Sequence, residues 1–156
     1  MGANRLLYLN KDDWVLINAK TQRRTYKLGE EIIRQGSLGD RMHVIRRGEA
    51  SVELAGTSSR AVVATLGPED ICGDMAFLEK GRTTAAVIAK SAEVETDEIM
   101  ANDLREIFDA FPRLASRFYM SLAIVLAVRL RHTSRELARE MSEADRRSNQ
   151  EKMRFS

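Results

Sequence analysis

The chain has 156 residues and a formal net charge of +2, which fits one domain with room for a helical extension and a real core. So small a charge argues against nucleic-acid binding by bulk electrostatics. The lone Cys72 excludes an intrachain disulfide and a multi-cysteine zinc site, and His43 and His132 lack partners at ligand spacing, so no metal is expected.

In chain order, Leu6-Leu7-Tyr8-Leu9 forms a short apolar patch, after which Asn10 or Asp12 can cap a helix. Trp14, Ile17 and either Val15 or Leu16 give that helix one apolar face, ending near Lys20, with Trp14 expected in the core. From residue 22 the character changes. Eight of the nine glycines fall between Gly29 and Gly81, punctuating short β-branched runs. These runs are residues 31–34, 42–46, 50–54, 60–66, 84–89 and 92–96. Short strands separated by glycine turns read as a sandwich or small barrel. Alternation sets Met42, Val44 and Arg46 on one face, leaving His43 on a polar or half-buried one.

The period then switches from 2 to 3.6. Asn102 or Asp103 can cap a helix carrying Leu104, Ile107, Phe108 and Phe111. Pro112 breaks it and suits the first turn of another, with Leu114, Phe118, Leu122, Val125, Leu126 and Leu130, then Leu137 and Met141, along one seam that thins after Leu130 and lasts too few heptads for a long coiled coil. That seam is expected to pack on the β core and to pair with a second copy. The mixed charges from Asp145 to Arg154 read as a solvated helix end. The expected division is an N-terminal helical segment (1–21), a β block (22–99), two helices (100–145) and a charged flexible tail (146–156). This is an α+β arrangement with helices segregated in sequence. No apolar run reaches about 18 residues and no signal-peptide core is present, so a cytoplasmic protein without membrane contact is the default.

The stretch from Gly73 to Val87 leaves a strand, makes one helical turn, crosses a charged bend and re-enters a strand. Gly73 permits close backbone approach. The amides of Asp74, Met75, Ala76 and Phe77 can be the free donors of that turn, and Asp74 can accept from a hydroxyl. Arg82, Thr83 and Thr84 can face a phosphate. The same residues serve equally well as a surface connection between strands. No Ser-His-Asp or Cys-His order points to an enzyme.

With these elements placed, the chain resembles the cyclic nucleotide-binding domains of kinases, gated channels and bacterial catabolite-activator-type regulators. The resemblance runs from Leu28 to Leu130. It rests on Leu28-Gly29-Glu30, Ile32 to Gly36, Gly39 to Gly48, Leu66 to Asp70, Cys72 to Leu78, and Phe111-Pro112 before Leu122-Ala123. It implies an eight-stranded antiparallel β-roll of jelly-roll type and a short N-terminal helix. It also implies a phosphate-binding cassette at 73–87 and C-terminal hinge and lid helices. The implied ligand is cAMP or cGMP, with no other cofactor. Amides and a guanidinium would hold the phosphate, and a carboxylate would take the ribose 2′-hydroxyl.

The sequence departs from that pattern twice. Asp74 stands where the family has Glu, and Thr83 stands where it has the phosphate-binding Arg. Arg82 lies one position early, and adjacent residues of an extended segment point opposite ways. Three readings follow: a cyclic mononucleotide sensor, a binder of a different ligand such as a cyclic dinucleotide, or a ligand-free dimerisation or docking module. The sensor would signal through its C-terminal helices to an effector protein, and a homodimer through Leu122, Val125, Leu126 and Leu130 is expected. Only about 25 residues follow Leu130, rich in charge and without a second apolar periodic segment, so DNA binding by this chain alone is not expected.

Overall fold

A computed structural model describes residues 5–154. Residues 1–4 of the N-terminal segment and 155–156 of the expected tail lie outside the described residues. The elements run α1 (Lys11–Asn18), β1 (Gln22–Lys27), β2 (Glu31–Ile33), β3 (Arg41–Arg47), β4 (Ala50–Ala55), β5 (Arg60–Leu66) and β6 (Ile71–Cys72). They continue with α2 (Asp74–Glu79), β7 (Ala86–Ala89), β8 (Glu93–Met100), α3 (Ala101–Ala110) and α4 (Pro112–Arg154). The eight strands make two antiparallel four-stranded sheets, ordered β1-β8-β3-β6 and β2-β7-β4-β5. This is the expected β-roll with its helices.

Six strands grow from the six apolar runs. The other two do not. β6 has only two residues, and β1, Gln22 to Lys27, is half charged and almost wholly exposed. β1 holds because its partner β8 supplies the opposite charges: Arg23 binds Asp97 at 2.6 Å and Arg24 reaches Glu98 at 3.4 Å.

Two cores result. Between the sheets lie Ile32, Ile33, Ile45, Ala50, Leu66, Cys72, Val87, Ala89 and Val94. On the outer face of the first sheet, Met42, Val44, Ile71 and Ile99 pack under the helices through Leu104, Ile107, Phe108, Leu114, Phe118 and Leu122. β3 is therefore covered on both faces, and His43 is fully buried rather than on a polar face. Its Nδ1 lies 3.1 Å from the Thr96 hydroxyl.

Asn10 caps α1: it accepts from the Asp13 amide at 2.9 Å while Asp13 accepts from the Asn10 amide at 3.0 Å. Ile17 is buried, Trp14 and Leu16 pack against the helical core, and Val15 points to solvent. The Arg46 guanidinium stands 5.6 Å above the Trp14 ring. α3 is not capped by Asn102 or Asp103. β8 runs directly into it, Met100 is the extended N-cap residue, and the Ala101 amide donates to the Asp40 carbonyl at 2.8 Å. α4 continues unbroken past residue 146, where the charged tail is expected to begin, although its last turns are exposed on all sides. At 43 residues it is roughly 65 Å long at the α-helical rise.

Candidate functional site

The turn between β6 and β7 is built by close packing of small residues. Gly73, the N-cap of α2, has φ +85°, and a Cβ there would collide with the Arg41 carbonyl oxygen. Gly39 packs against Ala76 and the Gly81 carbonyl so tightly that a Cβ would not fit. α2 is thereby pinned between β3 and the loop of residues 34–39. Ala76 is buried in this contact, while Met75 stays exposed. The Phe77 amide donates to the Gly73 carbonyl at 3.2 Å, so the amides that precede the first helical bond are those of Asp74, Met75 and Ala76.

Asp74 is 2% exposed. Its Oδ2 is paired with Arg129 Nη1 of α4 at 2.7 Å, and Arg129 Nη2 donates to the Ile71 carbonyl at 3.2 Å. A second bridge joins the same turn to the helices. The Phe77 ring makes edge contacts with Phe108 of α3 at 6.3 Å and Phe118 of α4 at 6.1 Å between centroids. The Arg105 guanidinium lies 5.1 Å from the Phe77 ring centre.

The far limb of the turn faces elsewhere. Arg82 Nη1 donates to the Gly36 carbonyl at 2.8 Å. Thr83 Oγ1 donates to the Arg34 carbonyl at 2.6 Å and accepts from the Ser37 amide at 3.1 Å. Backbone bonds from Thr83 N to Ser37 O and from Gly36 N to Thr83 O reinforce the pairing. Residues 82 and 83 thus serve as a rung against the loop of residues 34–37, and Thr84 is exposed. The structure brings together Gly73, Asp74, Met75 and Ala76 on one limb. It directs the Arg82 and Thr83 side chains to the loop on the other.

Cys72 lies between the sheets, and burial pushes its thiol up to about 12, with the Asp74 charge adding to the rise. It stays a protonated, unreactive thiol.

The expected C-terminal seam divides. Leu122 and Val125 are each 1% exposed within the chain's own core, Leu126 is half-buried beside it, and Leu130 is 68% exposed. Leu122 and Val125 are thus packing residues of α4 and are closed to a partner. Arg129 was missed in the sequence. It falls on the buried face traced by Leu114, Phe118, Leu122 and Val125, where an apolar residue is due. A cation at that position was the available signal of a buried anionic partner.

A two-sheet roll with this turn on β6–β7 and two helices behind it can be set beside known proteins. The Cyclic nucleotide-binding domain profile matches residues 23–111. The chain belongs to the cyclic nucleotide-binding domain family. Cyclic GMP-binding protein C of Dictyostelium discoideum is 36% identical over 126 residues, 76% of this chain and 5% of that protein. The Cyclic AMP receptor protein of Thermus thermophilus is 34% identical over 119 residues, 74% of this chain and 52% of that protein. The crystal structure of the Thermus thermophilus catabolite activator protein superposes with a TM-score of 0.70 at 27% identity, covering 83% of this chain and 59% of that one. The chain therefore spans about half the length of one such relative and a small part of another. Among the described residues, no helix is long and apolar enough to cross a membrane and no cluster suits a metal ion.

Proposed function

We propose that the chain is a cyclic mononucleotide sensor that signals through α4. The observation that carries this reading is the position of Asp74, a buried carboxylate at the start of the cassette helix that is tied directly to α4 by Arg129. A ligand hydroxyl donating to Asp74 would alter its pairing with Arg129. Movement of α2 would press Phe77 against Phe108 and Phe118. Both contacts lead into the C-terminal helices, so a change at the turn would shift the balance between two packings of α4. The names of two relatives, one for cyclic GMP and one for cyclic AMP, agree with the ligand class.

Calorimetric titration of the chain with cAMP and cGMP tests the reading. Saturable heats are expected, with affinity reduced by the absence of a cassette guanidinium; loss of one bond to a charged group weakens binding roughly ten- to hundredfold. Flat heats at millimolar ligand would sink it, and heats only with a cyclic dinucleotide would replace it. A second reading, a ligand-free dimerisation or docking module, is favoured by the engagement of Thr83 and Arg82 with the 34–37 loop. Both readings include a homodimer through exposed apolar residues of α4 and an effector protein that reads it.

A further inference from the structure

We infer that the far half of α4 carries a docking face for an acidic helix of the effector, built by Arg131, Arg135 and Arg139. This rests on the reading of α4 as the output element and does not depend on what the β6–β7 turn binds. The three arginines follow one another at four-residue spacing, so they stand on one face of the helix at steps of about 6 Å. All three are exposed, and among the described residues none of them has an ion pair or a hydrogen bond. Glu136 and Glu143 lie within helical reach of Arg139. Arg131 and Arg135 have no carboxylate three or four residues away on either side, and each has another arginine there instead. Like charges at that spacing repel and weaken a helix, so the ladder costs this chain stability unless an anion from outside meets it.

The surroundings of the ladder define the anion. Between residues 131 and 146 four arginines are balanced by four carboxylates, those of Glu136, Glu140, Glu143 and Asp145. The segment has no bulk charge, and a polyanion gains nothing from it at long range. A nucleic-acid duplex, broader than the helix, would also press phosphates on Glu136 and Glu140, which stand about 100° round the helix from Arg135 and Arg139. A second helix touches one face only, and carboxylates at four-residue spacing on it would meet the three guanidiniums in turn. The face is also clear of the apolar seam. Arg135 and Arg139 each lie two residues from Leu137, and two residues on a helix is more than half a turn. A second copy held through Leu130, Leu137 and Met141 therefore leaves the ladder pointing outward.

The probe is a synthetic alanine-rich helix carrying three glutamates at four-residue spacing, added without nucleotide to the isotope-labelled full chain and followed by NMR. Saturable shifts of the backbone amides from 131 to 139 are expected. Affinity should exceed that of the same peptide with glutamine for glutamate by roughly ten- to hundredfold, since an exposed ion pair is worth a few-fold and three act together. About 0.5 M salt should remove most of that preference. Arg131→Glu with Arg135→Glu should abolish it, and Arg131→Lys with Arg135→Lys should keep part of it, because lysine retains the charge but not the planar fork. Glu136→Gln with Glu140→Gln should leave it intact or raise it. Equal binding of the two peptides overturns the inference, as does tighter binding of duplex DNA than of the glutamate peptide. So does a self-association that low salt promotes and that Arg131→Glu with Arg135→Glu removes, which would put a second copy on the ladder. Flat heats with cAMP and cGMP sink the sensor reading and leave this inference standing, and equal binding of the two peptides does the reverse.

Discussion

His43 shows how the tertiary environment decides a single residue's chemistry. It lies between the sheets on β3, with Nδ1 3.1 Å from Thr96 and Nε2 3.8 Å from Glu98. Burial holds its pKa down to about 4. The nearby Glu98 carboxylate pulls the other way but is already shared with Arg24 and Arg41, so burial prevails. The folded protein thus keeps His43 neutral where the unfolded chain, with a pKa of 6.5, takes up a proton. Its stabilising contribution is complete above pH 6.5 and is lost as pH falls toward 4. The total lost is about 3 kcal/mol. Urea unfolding at pH 7 and pH 5 should show wild-type protein losing about 2 kcal/mol more than His43→Gln over that interval. Equal losses in the two proteins would mean that His43 titrates normally when folded.

At the scale of the element, α4 is two helices in one. Its first half buries Leu114, Phe118, Ser121, Leu122 and Val125, while everything beyond Leu130 is exposed. Met120, Ala123, Ala127, Leu130, Ser134, Leu137, Met141 and Ala144 then recur at alternating spacings of three and four, the pattern of a coiled-coil seam. A surface of that kind suits a second copy of the chain. Two substitutions separate packing from pairing. Leu122→Ala should lower unfolding stability by roughly 2–5 kcal/mol, as a truncation in a packed core does, without changing the sedimentation of the folded species. Leu137→Asp should leave the melting of the β-roll unchanged and convert a dimer to monomer in sedimentation velocity. A wild-type chain that sediments as a monomer, or a Leu137→Asp variant that remains a dimer, would remove the seam from consideration. The split was only half legible in the sequence. Periodicity marks which residues share a face, but not where the body of the protein stops supporting that face.

For the molecule as a whole, the N-terminal segment straps the turn before β6 to α4. Arg5 pairs with Glu69 at 3.0 Å, and the Tyr8 amide donates to the Ser121 hydroxyl at 2.9 Å. Asp13 receives two bonds from Arg117, at 2.6 and 2.7 Å, which hold its carboxyl below the ordinary range despite burial. The strap thus holds α4 at Arg117 and Ser121, a few turns before its contact with Asp74 at Arg129. Ser121→Ala leaves the Tyr8 amide without its acceptor and should cost roughly 1–3 kcal/mol. Thermal unfolding measures this, and an unchanged melting temperature would show that the strap carries no load.

The sequence by itself determined the order of the helices and of six of the eight strands, since glycine turns, β-branched runs and the change of period from 2 to 3.6 are local signals of burial. It also located the β6–β7 turn and the carboxylate within it. Only the tertiary structure decided the rest, because those outcomes depend on partners far away in the chain. β1 is a strand because Asp97 and Glu98 neutralise its arginines across the sheet. Thr83 faces the loop because Arg34 and Ser37 meet it there. Arg129 can occupy an apolar face because Asp74, 55 residues earlier, is buried opposite it. A cation out of place on an apolar face signals that some buried anion must meet it, but which anion becomes visible only when the two ends of the pair share a coordinate frame.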